Sequence, residues 1–447
     1  MYSSKETLTG RARPEQLVQT SLKGIAKKAK RLKKYRFRDL YRQINHSALS
    51  KAWDNINKKA AAGVDKITAK EFAKNLKDNI ESILDSLIGK RYHAKMVRRV
   101  NIEKDNGKLR PLGIPVVADK IVQRATADIL EAIYEQDFID NSYGYRPNRD
   151  SKVAIKSLTK ELQFGKYSYI VEADIKGFFD NIDHDWLIEM LKQRVNDKEF
   201  IRLIKKWLKA GILKEDGQVI HPVTGTPQGG IISPILANIY LHYVLDIWFI
   251  GKVKKECAGE AHLCRYADDF VCAFRYKRDA ERFYHMLQKR LNKFGLALSL
   301  EKTNIISFSR FRKYENNSFE FLGFEMRWGT SRKGKDIIKR RTSRKKLRKS
   351  LKNFTKWCKE NRNKRLRSLF SDLNAKLRGY YNYYGIIGNY ESLNQFYRIT
   401  KRILYKWLNR RSQRRSFNWQ EFDKVLERYR ILKPRIMEIN QLEFEFS

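Results

Sequence analysis

The chain has 447 residues, 42% of them hydrophobic and 32% charged, which excludes a disordered or membrane-embedded protein and allows two or three domains. Lys and Arg number 94 against 50 Asp and Glu, a formal net charge of +44. Such an excess repels itself unless a polyanion screens it, so nucleic acid is the expected partner, with counterion release driving binding. 

No uninterrupted apolar run approaches the roughly 20 residues of a spanning helix. The opening Met-Tyr-Ser-Ser-Lys-Glu lacks the charged-then-apolar pattern of a secretory signal. Cysteines 257, 264, 272 and 358 form no C-x-x-C pair, so they read as reduced packing residues rather than a zinc or disulfide framework. The expected address is the bacterial cytoplasm, in association with nucleic acid and away from membranes.

In chain order, the first 50 residues are basic and helix-prone. Ile25, Leu32, Leu40 and Ile44 sit among clusters such as Lys27-Lys28-Ala29-Lys30-Arg31, as on an amphipathic helix along a phosphate backbone. A turn is expected at 60–65, and Thr68 can cap a helix beginning near Ala69. Val97 to Ile102 alternates as a strand, and Asp105-Asn106-Gly107-Lys108 marks a hairpin turn between two basic strands. On this segment alone, an ordinary surface hairpin and one that closes over a phosphorylated ligand are equally compatible.

Between about 168 and 325, strands and helices alternate. Residues 169–175 read as a buried strand, 183–195 as a helix, and Ser233-Pro234 as a helix start with Ser as N-cap. Residues 263–274 read as two short apolar strands about a tight Asp-Asp turn. Ala280, Phe283, Leu287, Leu291 and Phe294 then mark one helix face. This order suits a split β-α-β-β-α-β sheet. After Trp328 the composition shifts: residues 329–447 hold 33 Lys plus Arg and 10 Asp plus Glu, about half the net charge in just over a quarter of the chain. The stretches 331–335 and 340–349 are expected to be a linker and the start of a helical region.

Acids stand where acids are unexpected. Asp174 ends an apolar strand within Val171-Glu172-Ala173-Asp174-Ile175, and Asp268-Asp269 lie between apolar strands. Adjacent carboxylates there repel one another and lose hydration, and opposing cations relieve both penalties. Oxygen-only ligands suit Mg²⁺ or Mn²⁺. With Asp174 alongside, three carboxylates could hold two ions roughly 3.5–4 Å apart, one activating a 3′-hydroxyl and one stabilising pyrophosphate.

At these residues a family likeness becomes plain. Tyr266-Ala267-Asp268-Asp269 resembles the catalytic box of reverse transcriptases, and Asp174 matches the aspartate of their preceding palm motif. Four further segments follow in the order found in group II intron-encoded reverse transcriptase/maturases. They are Arg110-Pro111-Leu112-Gly113-Ile114-Pro115, Ser142-Tyr143-Gly144-Tyr145-Arg146-Pro147, Gly225-Thr226-Pro227-Gln228-Gly229-Gly230-Ile231-Ile232-Ser233-Pro234 and Phe321-Leu322-Gly323-Phe324. The likeness covers nearly the whole chain.

The resemblance implies an α+β right-hand polymerase with fingers and a ferredoxin-like palm, followed by an α-helical thumb/maturase domain. On that reading residues 1–90 are a basic N-terminal extension and the start of the fingers, and 91–165 the fingers. Residues 166–328 are the palm, with a fingers–palm segment near 220–235, and 329–447 the thumb/maturase domain with a basic tail. It further implies that Asp174, Asp268 and Asp269 bind two Mg²⁺ (or Mn²⁺), with the Ile175 carbonyl as a further ligand. Phe179 becomes a steric gate against a 2′-hydroxyl, Gln228 a nucleotide contact, and Lys108 and Arg110 neutralise the triphosphate. Lys302 protonates pyrophosphate or holds a phosphate, and Leu322-Gly323 is the primer-grip turn.

In the C-terminal region, aromatics interleave with Lys and Arg, so bases can stack while cations hold phosphates. Tyr380, Tyr381, Lys406, Arg410, Arg411, Arg414 and Arg415 are the expected RNA contacts, although half of the tyrosines are expected to pack a helical bundle. Many family members end in an endonuclease domain with paired cysteines and histidines. No such cluster follows residue 415 here, so second-strand cleavage is not expected.

The implied function is RNA-directed DNA synthesis with maturase assistance to splicing. The implied partners are group II intron RNA or another structured RNA, a DNA primer or target, and dNTPs; a homodimer stays open. Two other readings share these residues. One is a domesticated relative in phage defence, CRISPR spacer acquisition or DNA repair, and the other is a non-enzymatic splicing factor, which has no need of all three acids.

Overall fold

A computed structural model describes residues 14–103, 109–214, 216–226, 229–315, 317–411 and 416–438. Its strands are β1 (Val97–Glu103), β2 (Leu109–Ile114), β3 (Tyr169–Asp174), β4 (Ile212–Leu213), β5 (Val219–Ile220), β6 (Ala261–Tyr266), β7 (Asp269–Phe274), β8 (Asn304–Ser307), β9 (Ser318–Phe321), β10 (Phe324–Thr330) and β11 (Asp336–Thr342). The chain divides into two compact units, one drawn from 1–147, 174–256 and 285–299, the other from 148–173, 257–284 and 300–447.

The first unit is mainly helical around one small sheet of order β2-β1-β4-β5. Helix ends follow short polar signals: Thr68 and Glu71 form a reciprocal capping box for Ala69–Phe72, and Asp183 accepts from the Trp186 N–H to start His184–Lys192. The helix Val117–Tyr134 is core, with Ile121, Val122, Leu130 and Ile133 fully buried. The basic N-terminal helix ends at Arg31, earlier than the apolar spacing implied. Leu40 and Ile44 instead sink into the core beyond it, 1% and 3% exposed. Its last carbonyls are covered by Arg194, whose guanidinium donates to Ala29 and Leu32 while pairing with Asp137 at 2.9 Å. An arginine there also suits the negative end of a helix dipole.

One helical run, Ser233–Glu256, is long and apolar enough by length and composition to cross a membrane, and 72% of its most apolar window is buried inside the protein. Its first turns, from Ile235 to Leu241, are buried throughout, so this part is a core helix. Ser233 is its first helical residue rather than its cap: Ile232 holds the capping position.

The second unit contains two sheets and a helical bundle. One sheet has the order β6-β7-β3-β8, the order of a split β-α-β-β-α-β arrangement. Ala280 and Phe283 are buried, as their spacing requires of the helix Lys277–Lys293; so are Leu287, Leu291 and, just past its end, Phe294, which belong to the first unit. The other sheet, β11-β10-β9, runs through Thr342. Residues 331–335 are therefore the turn of a basic hairpin and not a linker. β11 lies at a sheet edge, where lysine and arginine are favoured, so its basic composition is that of an edge strand. Ser343 then caps Arg344–Asn361 through the Lys346 N–H. The helices Leu366–Tyr384, Tyr390–Leu408 and Trp419–Arg428 follow, sharing a core that includes Leu347, Phe354, Leu373, Leu377, Leu393 and Leu404.

Candidate active site

The acidic hairpin is built from strands that bury almost every side chain, Ala261–Tyr266 and Asp269–Phe274, paired antiparallel with Tyr266 opposite Asp269. Two residues remain to turn the chain. Ala267 takes a left-handed conformation, φ 57°, and is 7% exposed. The turn is braced by Arg265, fully buried, whose Nη1 donates to the Ala267 carbonyl at 3.0 Å. Asp268 is half-buried and Asp269 exposed, so the apolar strands present two carboxylates at one hairpin tip. Burial, with the Asp269 charge added, pushes the Cys264 thiol well above its ordinary range, which keeps it protonated and unreactive.

Asp174 closes β3, the strand hydrogen-bonded to β7 in the sheet order. Its carbonyl accepts the Ser299 N–H at 2.8 Å, and Ile175 forms an antiparallel bridge to Leu298. The chain then bends at Gly177, where the Asn181 amide donates to the Lys176 and Gly177 carbonyls at 3.0 Å each. Among the described residues no three His, Cys, Asp or Glu side chains form a ready-made metal cage. The donor set is oxygen only, which fits Mg²⁺ held by a few carboxylates and completed by substrate phosphates and water.

Phe179 follows that bend. It is 6% exposed and edge-on to Phe178 at 5.3 Å and Tyr145 at 6.4 Å, while its carbonyl accepts the Thr226 N–H at 2.8 Å. The loop after Thr226 returns at Gly229, φ 110°, where a β-carbon would fall 2.7 Å from the Gly113 carbonyl oxygen. Only glycine permits that approach. A cavity of about 310 Å³ opens among Arg99, Gly113, Asp180, Thr224, Gly225 and Thr226. Gln228 and Lys108 lie outside the described residues, as do Arg414 and Arg415. The backbone of Arg110 pairs with Ile102 in the β1–β2 ladder, and its side chain too is outside the description. Lys302 is exposed at the end of the short turn Leu300–Lys302.

Leu322 and Gly323 form a two-residue turn between the paired Phe321 and Phe324, at φ 50° and 78°. The Tyr383 hydroxyl donates to the Leu322 carbonyl at 3.0 Å, and the Ser343 N–H to the Gly323 carbonyl at 3.0 Å. 

The aromatic-basic residues divide. Tyr381 is 1% exposed with its hydroxyl on the Leu432 carbonyl, so it is a core residue, and the expectation of base stacking is corrected. Its position four residues after the buried Leu377 explains why. Tyr380 stacks on Phe396 at 3.7 Å, which occupies one ring face. Lys406 and Arg410 are exposed, whereas Arg411 is partly buried and donates to the Lys364 carbonyl. Sequence reading passed over Arg265 and Tyr383. The signal for Arg265 was a lone charge inside the apolar run Ala-His-Leu-Cys-Arg; Tyr383 gave none, since its partner is a distant backbone atom.

Residues 102–326 match the reverse transcriptase (RNA-dependent DNA polymerase) family, and residues 344–426 match the group II intron maturase-specific domain. The chain is 33% identical to the group II intron-encoded protein LtrA of Lactococcus lactis, over 71% of this chain and 65% of the relative. It thus spans about 65% of LtrA's length. It is also similar to the protein YkfC of Escherichia coli, 32% identical over 61% of this chain and 77% of that protein. A third relative is a 91 kDa protein in a cob intron of Schizosaccharomyces pombe, 42% identical over 40% of this chain and 22% of that one. The chain belongs to the reverse transcriptase family, and it carries the maturase-specific domain of group II intron proteins.

Proposed function

We propose that this protein is an RNA-directed DNA polymerase that also binds intron RNA and assists its splicing. The observation that carries the reading is the pair of carboxylates at the tip of a buried hairpin, within a chain of net charge +44 whose family copies RNA into DNA. In this reading the chain is a right hand whose palm is the β6-β7-β3-β8 sheet and whose thumb is the C-terminal helical bundle. Asp174, Asp268, Asp269 and the Ile175 carbonyl would hold two divalent ions. When bound, those ions supply an acidified 3′-hydroxyl and charge neutralisation on pyrophosphate.

The protein's own groups then position the reactants. Phe179 closes the nucleotide site against a 2′-hydroxyl, Gln228 offers an uncharged amide to the incoming nucleotide, and Lys108, Arg110 and Lys302 meet its phosphates. The Leu322-Gly323 turn approaches the primer backbone. Exposed Lys406 and Arg410, beside partly exposed aromatics, are the favoured contacts to intron RNA. Relatives named as intron-encoded proteins and an intron maturase support that partner.

Primer extension on an RNA template with Mg²⁺ tests the polymerase, and protein-dependent splicing of an intron RNA at low Mg²⁺ tests the maturase. Incorporation is expected to vanish with EDTA and return with Mg²⁺. Phe179→Val should admit ribonucleotides at least about tenfold more readily; unchanged discrimination would remove Phe179 from the gate.

A further inference from the structure

The Leu322-Gly323 hairpin does not support its own turn. Both central residues are left-handed, one of them a leucine, and the donors to their carbonyls come from elsewhere in the chain. Gly323 is reached by the N–H of Ser343, the cap of Arg344–Asn361. Leu322 is reached by Tyr383, on the helix Leu366–Tyr384. The Tyr383 ring lies parallel to Phe324, at 11° with 6.1 Å between centroids, and Tyr384 meets the same Phe324 edge-on at 5.4 Å. A side chain on Gly323 would begin 3.2 Å from the Tyr384 hydroxyl. The turn is therefore mounted on two helices of the maturase-specific domain.

Tyr383 reaches further than the turn. Its hydroxyl also hydrogen-bonds Ser151, the first residue of Ser151–Phe164, and Tyr266 and Asp269 of the acidic hairpin lie near enough to act on it electrostatically. One phenol thus joins the turn to a helix start, while remaining 39% exposed.

We propose that Tyr383 is a primer-positioning residue. Its hydroxyl holds the Leu322-Gly323 turn in the shape that receives the primer end. The inference rests on the reading of that turn as the primer grip. Tyr383 acts through Leu322, so its removal should weaken primer placement and spare nucleotide binding.

The test uses the full chain, a DNA primer annealed to an RNA template, and single-turnover extension. Tyr383→Phe keeps the ring against Phe324 and removes one oxygen. The dissociation constant of the primer–template should rise about three- to tenfold, the effect of one hydrogen bond, with dNTP KM, Mg²⁺ requirement and thermal midpoint unchanged. Ser151→Ala, which frees the same hydroxyl from its other side, should shift primer affinity the same way by less. Wild-type primer affinity in Tyr383→Phe overturns the proposal. So does an equal rise in primer and dNTP constants, which would mark general loosening. Gly323→Val separates the two readings: if it weakens the primer while Tyr383→Phe does not, only the inference fails. If Gly323→Val leaves primer affinity at the wild-type level, the grip assignment fails and the inference with it.

Discussion

Two hairpins of the second unit turn through two residues each, and they are braced from opposite directions. At the acidic hairpin only Ala267 is left-handed, whereas at the other both Leu322 and Gly323 are. Both patterns suit the right-handed twist of the flanking strands. A left-handed alanine or leucine costs about 1–2 kcal/mol, so each turn needs an offset. Ala267 receives it from Arg265, two residues back on the same strand and wholly buried. Leu322 receives it from Tyr383, on a helix far along the chain. The acidic turn is thus braced from within its own hairpin, while the carbonyl of Leu322 is braced from a C-terminal helix. Chemistry built on the first should be robust to changes in the helical region, and primer placement built on the second should not.

The largest effect tests the acids alone. Asp268→Ala with Asp269→Ala should lower primer extension by at least about a thousandfold, with RNA affinity preserved. Extension at the wild-type rate would end the assigned mechanism. Next comes the brace. Arg265→Lys keeps a buried charge and loses the planar fork, and losing a charge-assisted hydrogen bond should slow extension by about ten- to a hundredfold at unchanged primer affinity. A fall in primer affinity instead of rate would mean that the two hairpins are not independent.

How much of this was readable beforehand follows the same division. Thr68 was a recognisable cap because its partner stands three residues away. The helix Lys277–Lys293 announced itself by spacing, and the β6–β7 hairpin by two apolar runs about Asp268. Arg265 and Tyr383 escaped because each acts on a backbone carbonyl, which carries no residue identity. In Tyr380-Tyr381-Asn382-Tyr383-Tyr384, composition made all four tyrosines equivalent, yet the helix turns about 100° per residue and buries Tyr381 while leaving Tyr383 exposed. The basic run into β11 likewise hid a strand, because lysine on an exposed edge satisfies the sheet as well as it satisfies RNA.

A smaller effect separates side chain from backbone at the grip. Glycine tolerates the left-handed conformation that Leu322 endures, so Leu322→Gly relieves strain while adding unfolded-state freedom, and stability should change by less than about 1 kcal/mol. The Tyr383 bond is to the carbonyl and survives. If the leucine side chain itself touches primer, affinity falls by several-fold at constant thermal midpoint; if affinity holds, the grip is a backbone device and the comparison with Ala267 becomes closer.

A buried acid outside both turns sets the pH at which the stabilities of the turn variants can be compared. In the first unit Asp119 is 2% exposed, accepting from the Tyr92 hydroxyl at 2.5 Å and the Lys95 N–H at 3.0 Å. Burial raises its carboxyl from 3.8 to about 6, outweighing the two hydrogen bonds. The folded state therefore holds a proton that the unfolded state has released between those values. Its contribution to stability is complete below the lower one and is lost as pH rises through the upper, at up to about 1.4 kcal/mol per pH unit. Asp128, Glu131 and Asp137 are raised by burial too, so the total slope belongs to several acids. The difference between wild type and Asp119→Asn isolates one of them: denaturant midpoints followed from pH 4 to 7 should fall more steeply in the wild type. Parallel curves would place the Asp119 carboxylate in a more polar setting than its burial implies. Comparisons among Arg265, Leu322 and Tyr383 variants are then best made above pH 7, where this group is ionised in every one of them.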